Sequence, residues 1–501
     1  MDIKRVKEEI SNTLKAYLTR DELGNYLIPP VRQRPVLLMG PPGIGKTQIM
    51  EQIAAENNVG LVAYTITHHT RQSAIGLPFI EHKTYQDEEY AITEYTMSEI
   101  LASVYNLMEK TGIKEGILFL DEINCVSETL APMMLQFLQC KSFGNRKLPE
   151  GWLIVAAGNP AEYNRSVREF DVVTLDRVKR IDVEENFAVW KEYALRKNLH
   201  RAIVSYLDIK KENFYRIETT ADGIQFATAR GWEDLSELLY AYEKLGLKAD
   251  RQLIVQYVQM PAIAKDFANY LELYYKYQQT YHVDDIVSGS WHPITADEFA
   301  AAPFDEKLSV LGLILARLTD GAMRLRRQDE LTAQLYDVLK KYKEDIADGS
   351  DFAGMMRALA DEKRAELKRS SDANRLDKEA KNLYLLQINA LEDYAAKLLA
   401  EAPKTAAEAM DIVKAAFGAE RAARAALLKE ASAMFDNSFS FLEKSIGQTQ
   451  ELVIFVTEIS ASYDLSWFIE HFGCDAYFRH NRELLFDETR SKILKEINEE
   501  Q

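Results

Sequence analysis

"LLMGPPGIGKTQIM" (Leu37–Met50) sets three glycines and two prolines between an apolar run and a helix-like one. A simple turn needs fewer constraints. Gly40, Gly45, Lys46 and Thr47 fit the spacing G-x-x-x-x-G-K-[ST] without a mismatch. Upstream, "PVLLMG" (Pro35–Gly40) reads as a short buried parallel strand. Downstream, Ile49, Met50, Ile53 and Ala54 recur at helical spacing. Strand, glycine-rich loop and helix is the setting in which backbone N–H groups turn inward to cradle phosphate oxygens at a positive helix end. Gly40, Pro41, Pro42, Gly43, Ile44, Gly45, Lys46, Thr47 and Gln48 are therefore the expected phosphate-binding residues. Lys46 is placed to reach β- and γ-phosphates, and the Thr47 hydroxyl to bind Mg²⁺.

Such a cradle needs a metal partner on a nearby strand. In "GILFLDEIN" (Gly116–Asn124), four apolar residues lead to Asp121 and Glu122. Two adjacent carboxylates ending a buried run are costly unless a cation or polar site receives them. The pattern assigns Asp121 to Mg²⁺, mostly through water, and Glu122 to the attacking water as general base. A third apolar run, "WLIVAAGNP" (Trp152–Pro160), ends in Asn159, placed to orient water or sense a γ-phosphate.

The succession GPPGIGKT, LFLDEIN, VAAGNP and "TLDRVKRIDV" resembles an AAA+ ATPase module, and within it the MoxR-like group, over about residues 29–247. The resemblance implies a P-loop α/β core with a five-stranded parallel sheet flanked by helices, an α-helical lid, and homo-hexameric rings binding ATP and Mg²⁺ between subunits. It makes Arg177 of "TLDRV" the candidate arginine finger, with Arg180 the alternative, and Arg230 of "ATARGWEDL" similar to a sensor-2 arginine. The chain departs from the family pattern at Val178, where phenylalanine is usual, and in "TARG", which replaces the common "PRA". The group also implies ATP-driven remodelling or chaperone-like maturation of a partner protein, often one with a von Willebrand A domain.

The expected organisation is an N-terminal helix (1–20), the AAA+ core (21–183), the lid (184–290) and a long all-α C-terminal region (291–501) that includes a candidate coiled-coil hairpin. Within the core, the runs Leu77–Thr84 and Tyr90–Tyr95 around a polar "QDEE" turn predict a hairpin. MoxR-like proteins carry such an insertion at the pore face, which makes it the leading partner-contacting element. Ser127–Asn145 reads as a serine-capped helix, Glu184–Tyr281 as helical throughout, Val287–Thr295 as a linker, and Ala419–Ser462 as one long helical run. His68 and His69 are adjacent on an extended segment and point to opposite faces, which disfavours a shared metal.

Composition narrows the function class. The chain of 501 residues is 47% hydrophobic and 28% charged, as in soluble globular proteins, and no apolar run reaches membrane-spanning length. Three cysteines without CxxC spacing, and a charged helix-like beginning, predict a reducing, cytoplasmic setting. A net charge of −17 disfavours general binding to nucleic acid or anionic membranes. Two other readings stay open at this level: a nucleic-acid remodelling motor, and a scaffold switched by nucleotide without turnover.

Overall fold

A computed structural model describes residues 1–68, 72, 76–85, 88–143, 146–163, 170–220, 223–372, 376 and 378–482. The expected turn at Gln86–Asp87, His69, half of the stretch "SSDANR" (370–375) and the C-terminal 483–501 lie outside the described residues. The chain divides into two compact units: residues 1–189 with 362–385, and residues 190–361 with 386–501.

The first unit is built of strands and helices around one sheet. Its strands are β1 (Val36–Met39), β2 (Gly60–Thr65), the hairpin β3 (Pro78–Tyr85) and β4 (Glu88–Tyr95), β5 (Gly116–Asp121), the short pair β6 (Ser142–Phe143) and β7 (Arg146–Lys147), β8 (Trp152–Gly158) and β9 (Lys179–Asp182). Five of them form a parallel sheet in the order β2-β5-β8-β1-β9. Both faces are covered, so the inner strands β1, β5 and β8 are nearly continuously apolar, while the edge strand β9 (Lys179–Asp182) buries only Ile181. Val36, Leu38, Ile117, Phe119, Leu153, Val155 and Ala157 face the helices Ile3–Leu18 and Lys46–Glu56. Leu37, Leu118, Leu120, Ile154 and Ala156 face the helices Glu99–Thr111 and Ala131–Cys140. The two-residue strand period thus sends alternate side chains into two separate cores. At the N-terminal edge of the sheet, a Cβ on Gly116 would lie 2.6 Å from the Trp152 ring, so glycine is needed where the indole crosses.

Several local expectations are corrected. The helix predicted from Ser127 begins at Ala131, because Pro132 in its first turn sets the start; the Ser127 carbonyl instead accepts from the Leu130 and Ala131 amides. Glu184–Tyr281 is not helical throughout: β10 (Arg216–Thr220) and β11 (Gly223–Ala227) form an antiparallel pair, favoured by the β-branched Ile217, Thr219, Thr220 and Ile224. The expected linker is two helix ends. Gly289 (φ 83°) closes the helix Val283–Ser288, and Pro293 opens the helix Pro293–Ala301.

In the second unit the helix Phe304–Asp345 packs along the helix Ala406–Ser445. The latter stops before Gly447 (φ 60°) and a new helix, Gln450–Ala461, follows, so the run expected from Ala419 to Ser462 is broken in two. Among the described residues no single helix is long and apolar enough to cross a membrane.

Ion pairs tie distant segments of this unit together. Asp464 is buried and receives Arg326 Nε at 2.6 Å and Asn198 Nδ2 at 3.0 Å. Lys191 Nζ meets Glu458 at 2.9 Å and also bonds Asp208, while Arg201 Nη2 donates to the Thr319 hydroxyl at 2.8 Å. Removing one partner of such a pair leaves an uncompensated buried charge. Asp464→Ala is expected to destabilise the protein by about 3–5 kcal/mol, read as a lowered midpoint in denaturant unfolding. An unchanged midpoint would show that Glu330, which accepts from Arg326 Nη1 at 2.8 Å, compensates the guanidinium by itself.

Candidate active site

The loop Gly40–Gly45 joins β1 to the helix Lys46–Glu56. It turns through positive φ at Gly43 (73°) and Gly45 (93°), conformations that side chains strain to adopt. Gly45 is the helix N-cap and offers no side chain to the first-turn amides, which leaves the helix start open to an anion. Gly40 is needed for contact: a Cβ there would stand 2.6 Å from the Val183 carbonyl oxygen.

Lys46 is buried and its ammonium donates to three acceptors: the Gly40 carbonyl (2.8 Å), the Pro41 carbonyl (2.8 Å) and Asn159 Oδ1 (3.0 Å). An ammonium has three protons, so this set fills it. Thr47 Oγ1 donates to Asp121 Oδ2 at 3.1 Å, and the Glu122 amide donates to Asp121 Oδ1 at 2.9 Å. The loop, the end of β5 and the end of β8 therefore converge at one edge of the sheet. Pro41 is buried, Pro42 and Ile44 are half-buried, and Gln48 is exposed.

Glu122 itself lies in the left-handed region (φ 57°). For a residue with a Cβ this costs about 1–2 kcal/mol, and such strain clusters at functional sites. Its carboxylate accepts from the Thr67 hydroxyl at 2.7 Å. Thr67 sits in the 3-10 turn Ile66–His68 that follows β2, the strand beside β5. Asn124, almost fully buried, donates from Nδ2 to the Asn159 carbonyl (2.8 Å) and accepts at Oδ1 from the Asn159 amide (3.3 Å). Neither Thr67 nor Asn124 was assigned a role from the sequence. Asn124 stands inside the "DEIN" segment, which was the available signal; Thr67 has none, because only the pairing of β2 with β5 brings it near.

The arginines lie outside this hydrogen-bonded set. Arg177, after the helix Val172–Leu175, is exposed and bonds Gln139 through Nη1. Arg180 on β9 is exposed and pairs with Asp182 at 2.8 Å. Arg230 belongs to the second unit. It is exposed in the first turn of the helix Ala229–Leu245, whose N-cap Thr228 accepts from the Gly231 amide. Burial and the neighbouring Glu233 charge push the Asp234 carboxyl up, and Arg230 one turn earlier pulls it down. The expected hairpin is present as β3 and β4, with Phe79, Ile80, Tyr90 and Tyr95 exposed on it. Among the described residues no three His, Cys, Asp or Glu side chains gather around a point that could hold a metal. A cation at Thr47 and Asp121 would have two protein oxygens and leave its other positions to phosphate and water, which suits Mg²⁺.

Residues 35–178 match the family described as AAA domain (dynein-related subfamily), so this part of the chain is an AAA+ ATPase domain, with the phosphate loop, the Asp121–Glu122 pair and Asn159 all inside the match. No curated protein matches the chain. Among solved structures, a Cytophaga hutchinsonii protein assigned as an ATPase by inference aligns at 16% identity and a TM-score of 0.22, covering 36% of this chain and 51% of that one. NtrX from Brucella abortus, in complex with ADP, aligns at 16% identity and a TM-score of 0.24, covering 41% of this chain and 44% of that one. This chain thus spans about half the length of each of those structures (51% and 44%).

Gly40→Ala tests the loop geometry. The added methyl group meets the Val183 backbone, so the variant is expected to lose about 1–3 kcal/mol of stability and to bind nucleotide more weakly. Denaturant unfolding and a fluorescent ADP titration would read the two effects; native values in both would show that the loop and β9 can separate freely.

Proposed function

We propose that this protein is a Mg²⁺-dependent ATPase of the MoxR-like kind, assembled as a ring, that couples hydrolysis to remodelling or chaperone-like maturation of a partner protein. The observation that carries the ATPase reading is the meeting of Thr47 with Asp121 at 3.1 Å beside Lys46 on Asn159 at 3.0 Å. Four residues from three separate segments converge where a triphosphate in the loop would present its terminal phosphate.

The chain's own groups would act as follows. Lys46 exchanges the Gly40 and Pro41 carbonyls for phosphate oxygens as ATP enters, which replaces two neutral acceptors by charged ones. Thr47 and Asp121 would hold Mg²⁺, which supplies charge neutralisation on the phosphates. Glu122 accepts the proton of the attacking water, and Thr67 holds the carboxylate until that step. Asn159 orients the water or the terminal phosphate. Arg177 reaches a neighbouring subunit's phosphate, with Arg180 the alternative, and Arg230 contacts phosphates within its own subunit. Support for a trans role is the exposure of Arg177 beside the exposed Val172 and Val173, a surface suited to a second copy.

The partner-facing element in this reading is the β3–β4 hairpin, whose exposed Phe79 and Ile80 offer apolar contact. The MoxR-like assignment makes a von Willebrand A domain protein the candidate partner. The acidic balance of the chain (61 basic against 78 acidic residues) favours a protein partner over nucleic acid and fits a cytoplasmic setting.

Phosphate release decides between the enzyme and a nucleotide-switched scaffold. Glu122→Gln is expected to keep ATP affinity and lose about 10²–10⁴-fold in turnover; equal rates in wild type and variant would end the enzyme reading. Lys46→Ala is expected to lose ATP binding in the same titration, and undiminished affinity would refute the cradle. Arg177→Ala is expected to bind ATP without turnover, and mixing it with Glu122→Gln subunits to restore some activity. No rescue in an intact assembly would transfer the role to Arg180 or to the same subunit.

A further inference from the structure

We propose that Asn124 is a positioning residue for the reaction: its side-chain amide aims Asn159 at the terminal phosphate and ties that aim to the turn that carries Glu122. The inference rests on the nucleotide reading of this edge of the sheet.

The pairing of β8 with its neighbours ends just short of Asn159. Against β5 the register stops at Ala156, with one further bond from the Ile123 amide to the Ala157 carbonyl at 2.9 Å. Against β1 it stops at Gly158, whose carbonyl accepts from the Gly40 amide at 3.3 Å. Asn159 is thus the first residue of β8's continuation with no strand beside it in the sheet register. Asn124 takes that place. Its Nδ2 donates to the Asn159 carbonyl at 2.8 Å and its Oδ1 accepts from the Asn159 amide at 3.3 Å, so one side chain satisfies both backbone groups of one residue, as a partner strand would.

The fit leaves no slack. A Cβ on Gly158 would fall 2.6 Å from Asn124 Oδ1 and 2.8 Å from its Cγ, so the amide lies directly against the glycine backbone. Asn124 is 2% exposed, and burying an amide is tolerated only when its hydrogen bonds are made. With both backbone groups of Asn159 held, the direction in which its side chain leaves the backbone is held too, and that side chain carries the oxygen that binds Lys46 at 3.0 Å. Because Asn124 lies two residues after Glu122 in the same turn, any shift of that turn reaches Asn159 through this amide. A misplacement near 1 Å at a reacting centre costs about 100-fold in rate.

A merely structural role would be satisfied by filling the space, and this separates the two cases. The affinity ratio between adenylyl-imidodiphosphate and ADP is measured by displacement of a fluorescent nucleotide, and kcat and KM by phosphate release. Asn124→Ala is expected to collapse the affinity ratio toward that of Asn159→Ala, with no further loss in the double variant, and to lower kcat about 100-fold while KM changes only a few-fold. Asn124→Asp keeps the volume but sets an acceptor against the Asn159 carbonyl, and is expected to lose the ratio as well. Gly158→Ala added to Asn124→Ala refills the space; it is expected to recover the unfolding midpoint and leave kcat and the ratio low. The assignment is overturned if Asn124→Ala keeps the wild-type ratio, if its effect adds fully to that of Asn159→Ala, or if the Gly158→Ala background restores turnover. The ratio is a binding measurement, so it decides the role of Asn124 even if wild-type protein releases no more phosphate than Lys46→Ala, the result that would instead refute the ATPase reading.

Discussion

The hydrogen bond from Thr47 to Asp121 spans the width of a strand. In the sheet order β2-β5-β8-β1-β9, β8 lies between the strand that leads to Thr47 and the strand that ends in Asp121. The two side chains meet at 3.1 Å only because the end of β8 stays out of the way. Its last residues are Ala156, Ala157 and Gly158, the smallest available, and Asn159 then enters the gap to bind Lys46. The same need for low bulk explains why β8 departs from the branched residues that fill the rest of the parallel sheet. Parallel strands bring their C-terminal ends to one edge, and the loops that follow them supply the reacting groups there.

The cost of this convergence is visible at Glu122. Its left-handed backbone turns the chain sharply after β5, and neighbouring bonds over-determine the turn: the Glu122 amide to Asp121, the Ile123 amide to Ala157, and Asn124 to Asn159. A strained residue persists only where its surroundings hold it. Here they hold it so that the carboxylate is offered to Thr67 on the β2 side while the backbone stays stitched to β8.

Much of this edge was legible in the sequence because its signals are local. The glycine spacing around Lys46, the apolar run closing on Asp121 and Glu122, and the run closing on Asn159 each fit within about ten residues, and each lies at the end of a strand that burial on both faces makes continuously apolar. What could not be read depends on distance along the chain. Thr67 reaches Glu122 across 55 residues, Asn124 reaches Asn159 across 35, and Lys191 reaches Glu458 across 267. The β10–β11 pair was missed for a different reason: short strands framed by strong helical patterns carry too few residues to show a period of two. Gly289 and Pro293 signal a linker as readily as two helix ends, because helix ends and loops use the same residues.

The polar contacts of the second unit bear on how a motion travels. Lys191, Asn198 and Arg201 precede the β10–β11 hairpin, and their partners Glu458, Asp464 and Thr319 belong to the helical region far along the chain. Charges held largely out of solvent resist sliding, since displacement strands them without compensation. These two segments therefore turn together. The helix Phe304–Asp345, 42 residues and roughly 63 Å long at 1.5 Å per residue, carries two of these contacts near its middle, at Thr319 and Arg326. It is pinned at mid-span, so a tilt about that point would carry its two ends in opposite directions.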